Sequence, residues 1–359
     1  MRAIKTSDDP IGWSEDVDLR SLFFRLTIDS STEMLFGKSV NSQLLALPDY
    51  RRPEGFKTSA LDEAAFTESF DLGTDYASFR AKLGKFSPYY ITKDAKRCEK
   101  VVQNFVEHYV QEALDSTYGE KADDIESRYV FAEAIAKETR DPKVITAQLL
   151  NILLAGRDTT AALLAYVFRQ LIRHPKIHAN LRREVINTFG TYSNPTNITF
   201  ASLKSCHALQ NVLNETLRLN TIVPLNQRTA TRDTTLPRGG GPNGTKSILV
   251  LKGQTVDFST HVMHRRKELW GPDADEFKPE RFEGRRFGWE FLPFHGGPRI
   301  CIGQQMAIVT ASYVIVRLLQ RYGDIEGTEE EMAATLGDRV GITSTPDRGP
   351  VVRMREAEA

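Results

Sequence analysis

Cysteine is scarce in this 359-residue chain: Cys98, Cys206 and Cys301 are the only three. An odd number at wide, unpatterned intervals argues against a disulfide framework and against a CxxC zinc site, and it fits a reducing, cytosol-facing compartment. Net charge is also lacking, since 47 basic residues balance 47 acidic ones. Nothing in that total points to nucleic acid or to an acidic surface as a partner. The opening "MRAIKTSDDPIGWSEDVDLR" is polar and acidic rather than a basic start followed by an apolar run, so it is not a secretory leader. The longest apolar stretch, Ala161 to Phe168, falls well short of the roughly 20 residues of a membrane span, and the chain as given reads as soluble. No internal repeat stands out, and the glycine run "GGGPNG" lacks the GxGxxG spacing of a dinucleotide fold; a hairpin turn explains it.

What is present is a 40% hydrophobic chain, enough to bury a substantial core. Helical periodicity runs over Leu19 to Phe36, Asp62 to Phe86 and Ala95 to Asp115, with a charged, loop-like stretch from Thr117 to Arg128. A long helix, residues 143–174, is apolar around most of its circumference except at Arg157 and Asp158, as a central buried helix is, and Pro175 stops it. Two more helices are expected over Lys176 to Phe189 and Leu203 to Leu219. Beyond them, residues 221–262 form a β-rich part, with runs at Ser247 to Leu251 and Thr255 to Ser259. Residues 263–300 make a long loop rich in Pro, Gly and Arg, of the kind that is usually functional. Ile302 to Arg321 returns to helix, and residues 322–359 read as a poorly ordered finish with a short hairpin around Gly341. The fold class is therefore mainly α with a small β region, in a single domain over 1–359.

The third cysteine stands in "FHGGPRICIG", residues 294 to 303. The glycines allow turns forbidden to other residues, Pro298 restrains the approach to Arg299, and Cys301 precedes a helix start whose free N–H groups favour a thiolate. Arg299 lies two residues away, so one loop presents an anionic sulfur and a guanidinium. Haem has these needs on one face, an axial ligand for iron and a cation for a propionate, and Gly303 would let backbone lie close to a flat macrocycle. A buried structural cysteine is the competing reading of the loop taken alone.

Phe294, Gly297, Arg299, Cys301 and Gly303 complete the pattern FxxGxRxCxG, which resembles the haem-binding signature of the cytochrome P450 family. Three further stretches, upstream and in the family's order, are similar. "ETLR" places Glu215 and Arg218 on one helix face, and with Arg281 of "PERF" it implies a buried structural network. "AGRDTT" resembles the oxygen-activation motif: Gly156 gives room, Thr159 can bond back to the Ala155 carbonyl, and Thr159 and Asp158 would handle the protons that dioxygen cleavage consumes. In "VPLNQRTA", Val223 and Leu225 resemble substrate-contacting positions and Arg228 a propionate partner; a solvated strand arginine competes for Arg228.

"AKETRDP", "MHRRKELWGPDADEFKPERF" and "GWEFLPFHGGPRICIGQQMA" are similar to the fungal branch that hydroxylates alkanes and fatty acids. The resemblance runs from Val17 onward and implies a cytochrome P450-like fold lacking the N-terminal anchor and first helices, hence an N-terminally truncated member with exposed apolar surface. It implies heme b as cofactor and electrons from NADPH through a separate cytochrome P450 reductase. The reductase would dock near Arg285, Arg286 and Lys278, unless these are only a solvated basic patch. A full-length relative would sit on the cytosolic face of the endoplasmic reticulum membrane. Tailoring of a fungal secondary metabolite, or an inactive truncated paralogue, are the alternatives. Histidine pairs His174/His178 and His261/His264 lack a neighbouring third metal ligand and read as surface or core residues, with His174 capping the central helix.

Overall fold

Asp18 is where the folded chain becomes legible: its side chain accepts the backbone N–H of Arg20 at 2.9 Å and starts α1, Leu19–Phe36, which Gly37 closes at φ +74°. The computed structural model describes residues 12–47, 50, 62–116, 130–333 and 337–357. The stretch expected to be loop-like after Thr117 lies almost wholly outside them. Strand β1, Val17–Asp18, precedes α1; α2, Ser42–Leu45, follows it, then α3, Glu63–Leu83, and α4, Lys93–Ser116. Helix α5, Phe131–Glu138, leads into α6, Pro142–Arg173, the long central helix. Asp141 caps its start, and at its end the His174 ring bonds the Gln170 carbonyl at 2.8 Å before α7, Pro175–Phe189.

The helix expected over Leu203 to Leu219 is two: α8, Phe200–Ser205, and α9, His207–Leu219, joined at an extended Cys206. A reciprocal cap between Thr199 and Ser202 begins α8 ahead of the apolar pattern. Four strands follow, β2 (Leu225–Thr229), β3 (Thr234–Gly240), β4 (Lys246–Val250) and β5 (Thr255–Ser259), with β2 paired to β5 and β3 to β4 as separate antiparallel ribbons. Short helices α10 (Thr260–Met263) and α11 (Lys267–Trp270) then open the long loop, and α12, Gln304–Arg321, closes it.

The carboxy-terminal stretch is ordered, contrary to expectation. Strand β6 (Tyr322–Gly327), helix α13 (Glu329–Ala333), hairpin β7–β8 (Asp338–Val340 and Ser344–Pro346) and β9 (Val351–Glu356) are all formed. Strand β9 lies between β1 and β6 in a three-stranded sheet. Its sequence VVRMRE buries Val352 and Met354 and turns the intervening arginines outward, an alternation too short to stand out from a charged tail. The hairpin does fall around Gly341. Two cores flank α6: its second half packs with α7, α9, α12 and the β1–β9–β6 sheet, its first half with α1, α3, α4 and α5. Among the described residues no helix is long and apolar enough to cross a membrane.

A buried charge network ties the long loop to α9. Glu215 and Arg218 are fully buried, and the Glu215 carboxylate accepts from Arg218 Nε at 2.7 Å and Nη2 at 2.8 Å. Arg218 also donates to the carbonyls of His264 at 2.8 Å, Ala274 at 2.6 Å and Glu276 at 3.1 Å, and its guanidinium lies over the Trp270 ring at 5.0 Å. Glu215 Oε1 takes two further donors, the Lys278 N–H at 2.8 Å and Arg281 Nε at 3.3 Å. Arg281 reaches on to Asp273 at 2.8 Å, and hydrogen bonds from Arg281 and Lys278 hold that carboxyl well below the usual carboxylate range. Every polar atom of the Glu215 carboxylate is thus engaged, which is the condition under which a buried charge pair is tolerated.

His264 carries the connection forward. Its ring is fully buried and Nε2 accepts the Leu292 N–H at 2.9 Å, two residues ahead of Phe294. The acceptor role requires a neutral ring, and burial, reinforced by the Arg218 charge, pushes its pKa from 6.5 down to about 4. An unfolded chain would bind this proton near pH 6.5 while the folded one refuses it until about pH 4. Folding stability is therefore unaffected by this group at neutral pH and is lost as pH falls through that window, by up to about 3 kcal/mol. Urea denaturation from about pH 7 to 4.5 should show this slope, and His264→Gln, which keeps an acceptor but cannot titrate, should flatten it. Glu215→Ala strands the fully buried Arg218 guanidinium and should cost roughly 3–5 kcal/mol in the same assay.

Candidate functional site

Backbone contacts fix the cysteine loop before any side chain is considered. Gly297, at φ +73°, opens a single 3₁₀ turn over Gly297–Arg299, the Ile300 N–H returns to the Gly297 carbonyl at 3.0 Å, and the Cys301 N–H to the Phe294 carbonyl at 3.0 Å. Phe294 packs half-buried against the larger core and pins the loop there. At Gly296 a Cβ would lie 2.8 Å from the Trp289 ring, so a larger residue would have to displace that exposed indole. Helix α12 begins at Gln304 rather than at the expected Ile302, which leaves Cys301 and Ile302 in the turn ahead of it. Ile302 is 98% exposed. Cys301 is a free, exposed thiol, and a Cβ on Gly303 would stand 4.0 Å from its sulfur.

Strand β2 is tied to this loop. Asn226 Nδ2 lies 3.4 Å from His295 Nε2, and the Phe258 and His295 rings meet edge to face. Burial lowers the His295 pKa, and the Arg228 charge adds to the effect, which places Arg228 beside the loop. Arg228 is exposed, donates to Asn226 Oδ1 at 3.0 Å and to the Gln227 carbonyl at 2.7 Å, and forms no ion pair among the described residues; nor does exposed Arg299. Leu225 is 64% exposed on the same strand, and Val223 is half-buried just before it.

On the central helix, Thr159 Oγ1 donates to the Ala155 carbonyl at 2.6 Å, and Ala155 and Gly156 are exposed although the helix is otherwise largely buried. A Cβ on Gly156 would touch Ser31 Oγ at an ordinary 3.7 Å, so the position is roomy rather than obligatory. Arg157 and Asp158 turn the other way. They pair at 2.9 Å, buried rather than on the surface, and Arg157 also grips Asp71 of α3 and lies over the Phe24 ring at 4.8 Å. Burial raises the Asp158 pKa against the opposing pull of Arg157. Both residues line a cleft of about 760 Å³ between α1, α3 and the β7–β8 hairpin, where Ile342 and Thr343 also lie.

Lys278 is held by Asp273 at 2.9 Å and Glu276 at 2.8 Å, whereas Arg285 and Arg286 are exposed, Arg285 over the Phe287 ring at 4.5 Å. His264, His295 and Asp273 join the site or its support without any signal in their spacing; the histidines act through backbone and ring contacts and Asp273 through ion pairs with Arg281 and Lys278 that only folding creates. For Asp158, the sequence motif marks the residue but not the cleft it faces.

The donor set suits haem. The exposed thiol has exposed Ile300, Ile302 and Met306 as sequence neighbours, with Leu225 exposed on β2, and Arg228 and Arg299 have no acidic partner among the described residues and are available to the haem carboxylates. A sequence model described as Cytochrome P450 matches residues 3–348. The chain is 51% identical to cytochrome P450 monooxygenase g430 of a Fusarium species, over 89% of this chain and 56% of that protein. It is 47% identical to cytochrome P450 52A13 of Debaryomyces hansenii, over 87% and 60%, and 44% identical to cytochrome P450 monooxygenase alt2 of Alternaria solani, over 92% and 62%. The chain thus spans about three fifths of the length of these relatives. With a match over nearly all of its own length and the cysteine loop, ExxR network and central-helix threonine in place, the chain belongs to the cytochrome P450 family.

Proposed function

We propose that the chain is a haem-thiolate monooxygenase that inserts one atom of O₂ into a C–H bond of an apolar chain, a fatty acid or an alkane. The observation that carries this reading is Cys301, a free and exposed thiol on a loop locked by the Phe294 carbonyl and accompanied by two arginines with no acidic partner among the described residues. Cys301 would hold the iron, Arg299 and Arg228 the propionates, while Phe294, Gly297, Gly303 and Gly156 shape the seat. When bound, haem supplies the oxygen chemistry, with a thiolate ligand that favours O–O cleavage.

The remaining steps fall to the chain's own groups. Thr159 spends its hydroxyl hydrogen on the Ala155 carbonyl, so its oxygen is left as an acceptor that can hold a water. Asp158, expected to share the proton handling, is buried in the ion pair with Arg157 and faces the cleft on the other side of α6, so Thr159 is the motif's group on the exposed Ala155–Gly156 face. Val223 and Leu225 bound the substrate side. Glu215, Arg218 and Arg281 keep the loop in place without touching the reaction. Electrons would come from NADPH through a separate reductase docking at Arg285 and Arg286, on the cytosolic face of the endoplasmic reticulum.

Reduced protein treated with CO should give the red-shifted Soret band of thiolate ligation, and Cys301→Ser should abolish it while changing stability by less than about 0.5 kcal/mol, because the side chain is exposed. Failure of the 359-residue chain to take up haem would overturn the reading. Thr159→Ala should lower product formed per NADPH consumed by about 10²-fold with substrate affinity retained, measured as product yield beside the substrate-induced spectral shift. If only polycyclic or peptide-like compounds produce that shift, the chain-hydroxylase assignment fails.

A further inference from the structure

Asn226 joins strand β2 to the cysteine loop, and its amide can sit only one way round. Oδ1 accepts from Arg228 Nη1 at 3.0 Å and from the Gln227 N–H at 2.8 Å, so the other end, Nδ2, is left to donate. That donor meets His295 Nε2 at 3.4 Å. Nε2 must therefore offer its lone pair, and Nδ1 must carry the ring proton of a neutral imidazole. Burial and the Arg228 charge both favour the neutral ring. Nδ1 is buried without a partner among the described residues, so the tautomer is set from the Asn226 side alone.

The imidazole is held there against the preference of its own backbone. His295 has φ +57°, in the left-handed region that a β-carbon opposes, and among the described non-glycine residues only Asn41 and Asn197 share that state. Strained positions of this kind cluster at ligand clamps. The ring meets Phe258 edge to face at 5.7 Å, and the Arg228 guanidinium lies over the same Phe258 ring at 5.5 Å. Strand register explains the grouping: Asn226 pairs with Phe258 and Arg228 with Val256, on one face of the β2–β5 ribbon. Asp257, the one acidic residue of the two strands, pairs with Gln227 and belongs to the opposite face.

Both contacts of Arg228, to Asn226 and to the Gln227 carbonyl at 2.7 Å, use Nη1. The Nε and Nη2 edge is left without a partner among the described residues, and such an edge can receive a carboxylate bidentately. We propose that His295 is a positioning residue: its Nε2 locks the Asn226 amide, and the amide holds Arg228 with its Nε–Nη2 edge presented to a carboxylate of the cofactor. This rests on the reading above for the identity of the cofactor. His295 acts through two neighbours and touches neither the iron nor the substrate.

Nitrogen-15 NMR of the full chain with labelled histidine tests the relay on the wild-type protein. The chain has seven histidines, and His295→Phe identifies the signal. At neutral pH His295 should carry its proton on Nδ1; a proton on Nε2 overturns the proposal. Haem titration is the second measurement. His295→Phe keeps a ring against Phe258 but offers no acceptor, and it should weaken haem uptake about fivefold, the worth of one hydrogen bond. In an Arg228→Gln background the same change should have no further effect. Equal losses in both backgrounds, or no loss with Arg228 present, overturn the proposal. An Nε2–H ring in a chain that takes up haem defeats the relay alone. An Nδ1–H ring in a chain that takes up none defeats the monooxygenase reading, while the contact from His295 through Asn226 to Arg228 stands.

Discussion

A fully buried carboxylate with four donors around it is the constraint on which the rest of this molecule rests. Glu215 sits at the end of α9, and its charge draws Arg218 from its own helix, Arg281 from the 3₁₀ turn at Pro279–Phe282, and the Lys278 amide. Arg218 in turn closes on three carbonyls of the long loop. Buried ions are poor contributors to net stability when an apolar core could replace them, but they are unforgiving about geometry. The long loop over residues 263–300 gains from that intolerance beyond what its aromatic cluster supplies: it has one arrangement that satisfies every charge.

From this knot the order propagates by single backbone contacts. His264 gives its carbonyl to Arg218 and its ring nitrogen to the Leu292 amide, so one residue links the charge network to the segment that ends in Phe294. The aromatic cluster of Trp270, Phe282, Phe287 and Phe291 fills the space beneath that segment. The thiol of Cys301 itself takes no part in this packing. It is held from behind, by the Phe294 carbonyl and by glycine turns, and its surface is left open.

The central helix divides two environments that adjacent residues read differently. Thr159 lies on the face where Ala155 and Gly156 are exposed, whereas Arg157 and Asp158, two and one positions before it, enter the cleft against α1 and α3. A helix turns about 100° per residue, so neighbours in a motif need not share a face. The motif therefore spans the helix, with a hydroxyl on one side and an ion pair on the other.

Much of this was legible before folding. Helix ends at Gly37 and Pro175 follow from glycine and proline chemistry, and the cysteine loop declares itself through glycine spacing, because such signals are local; the Asp18 and Asp141 caps emerged only with the structure. The glutamate, two arginines and threonine were also identifiable, as members of a family pattern. The sequence did not disclose the ordered β1–β9–β6 sheet, whose strands are short and come from opposite ends of the chain, so neither has a local signal strong enough to outvote its charges. Nor did it disclose the parts played by His264 and His295 or the direction in which Asp158 faces. Sequence alone determined which residues carry chemistry, since residue type and spacing are written in the chain. Tertiary structure decided which of them meet, which are left without a partner and which face water, because burial and pairing are properties of the space between elements rather than of any element.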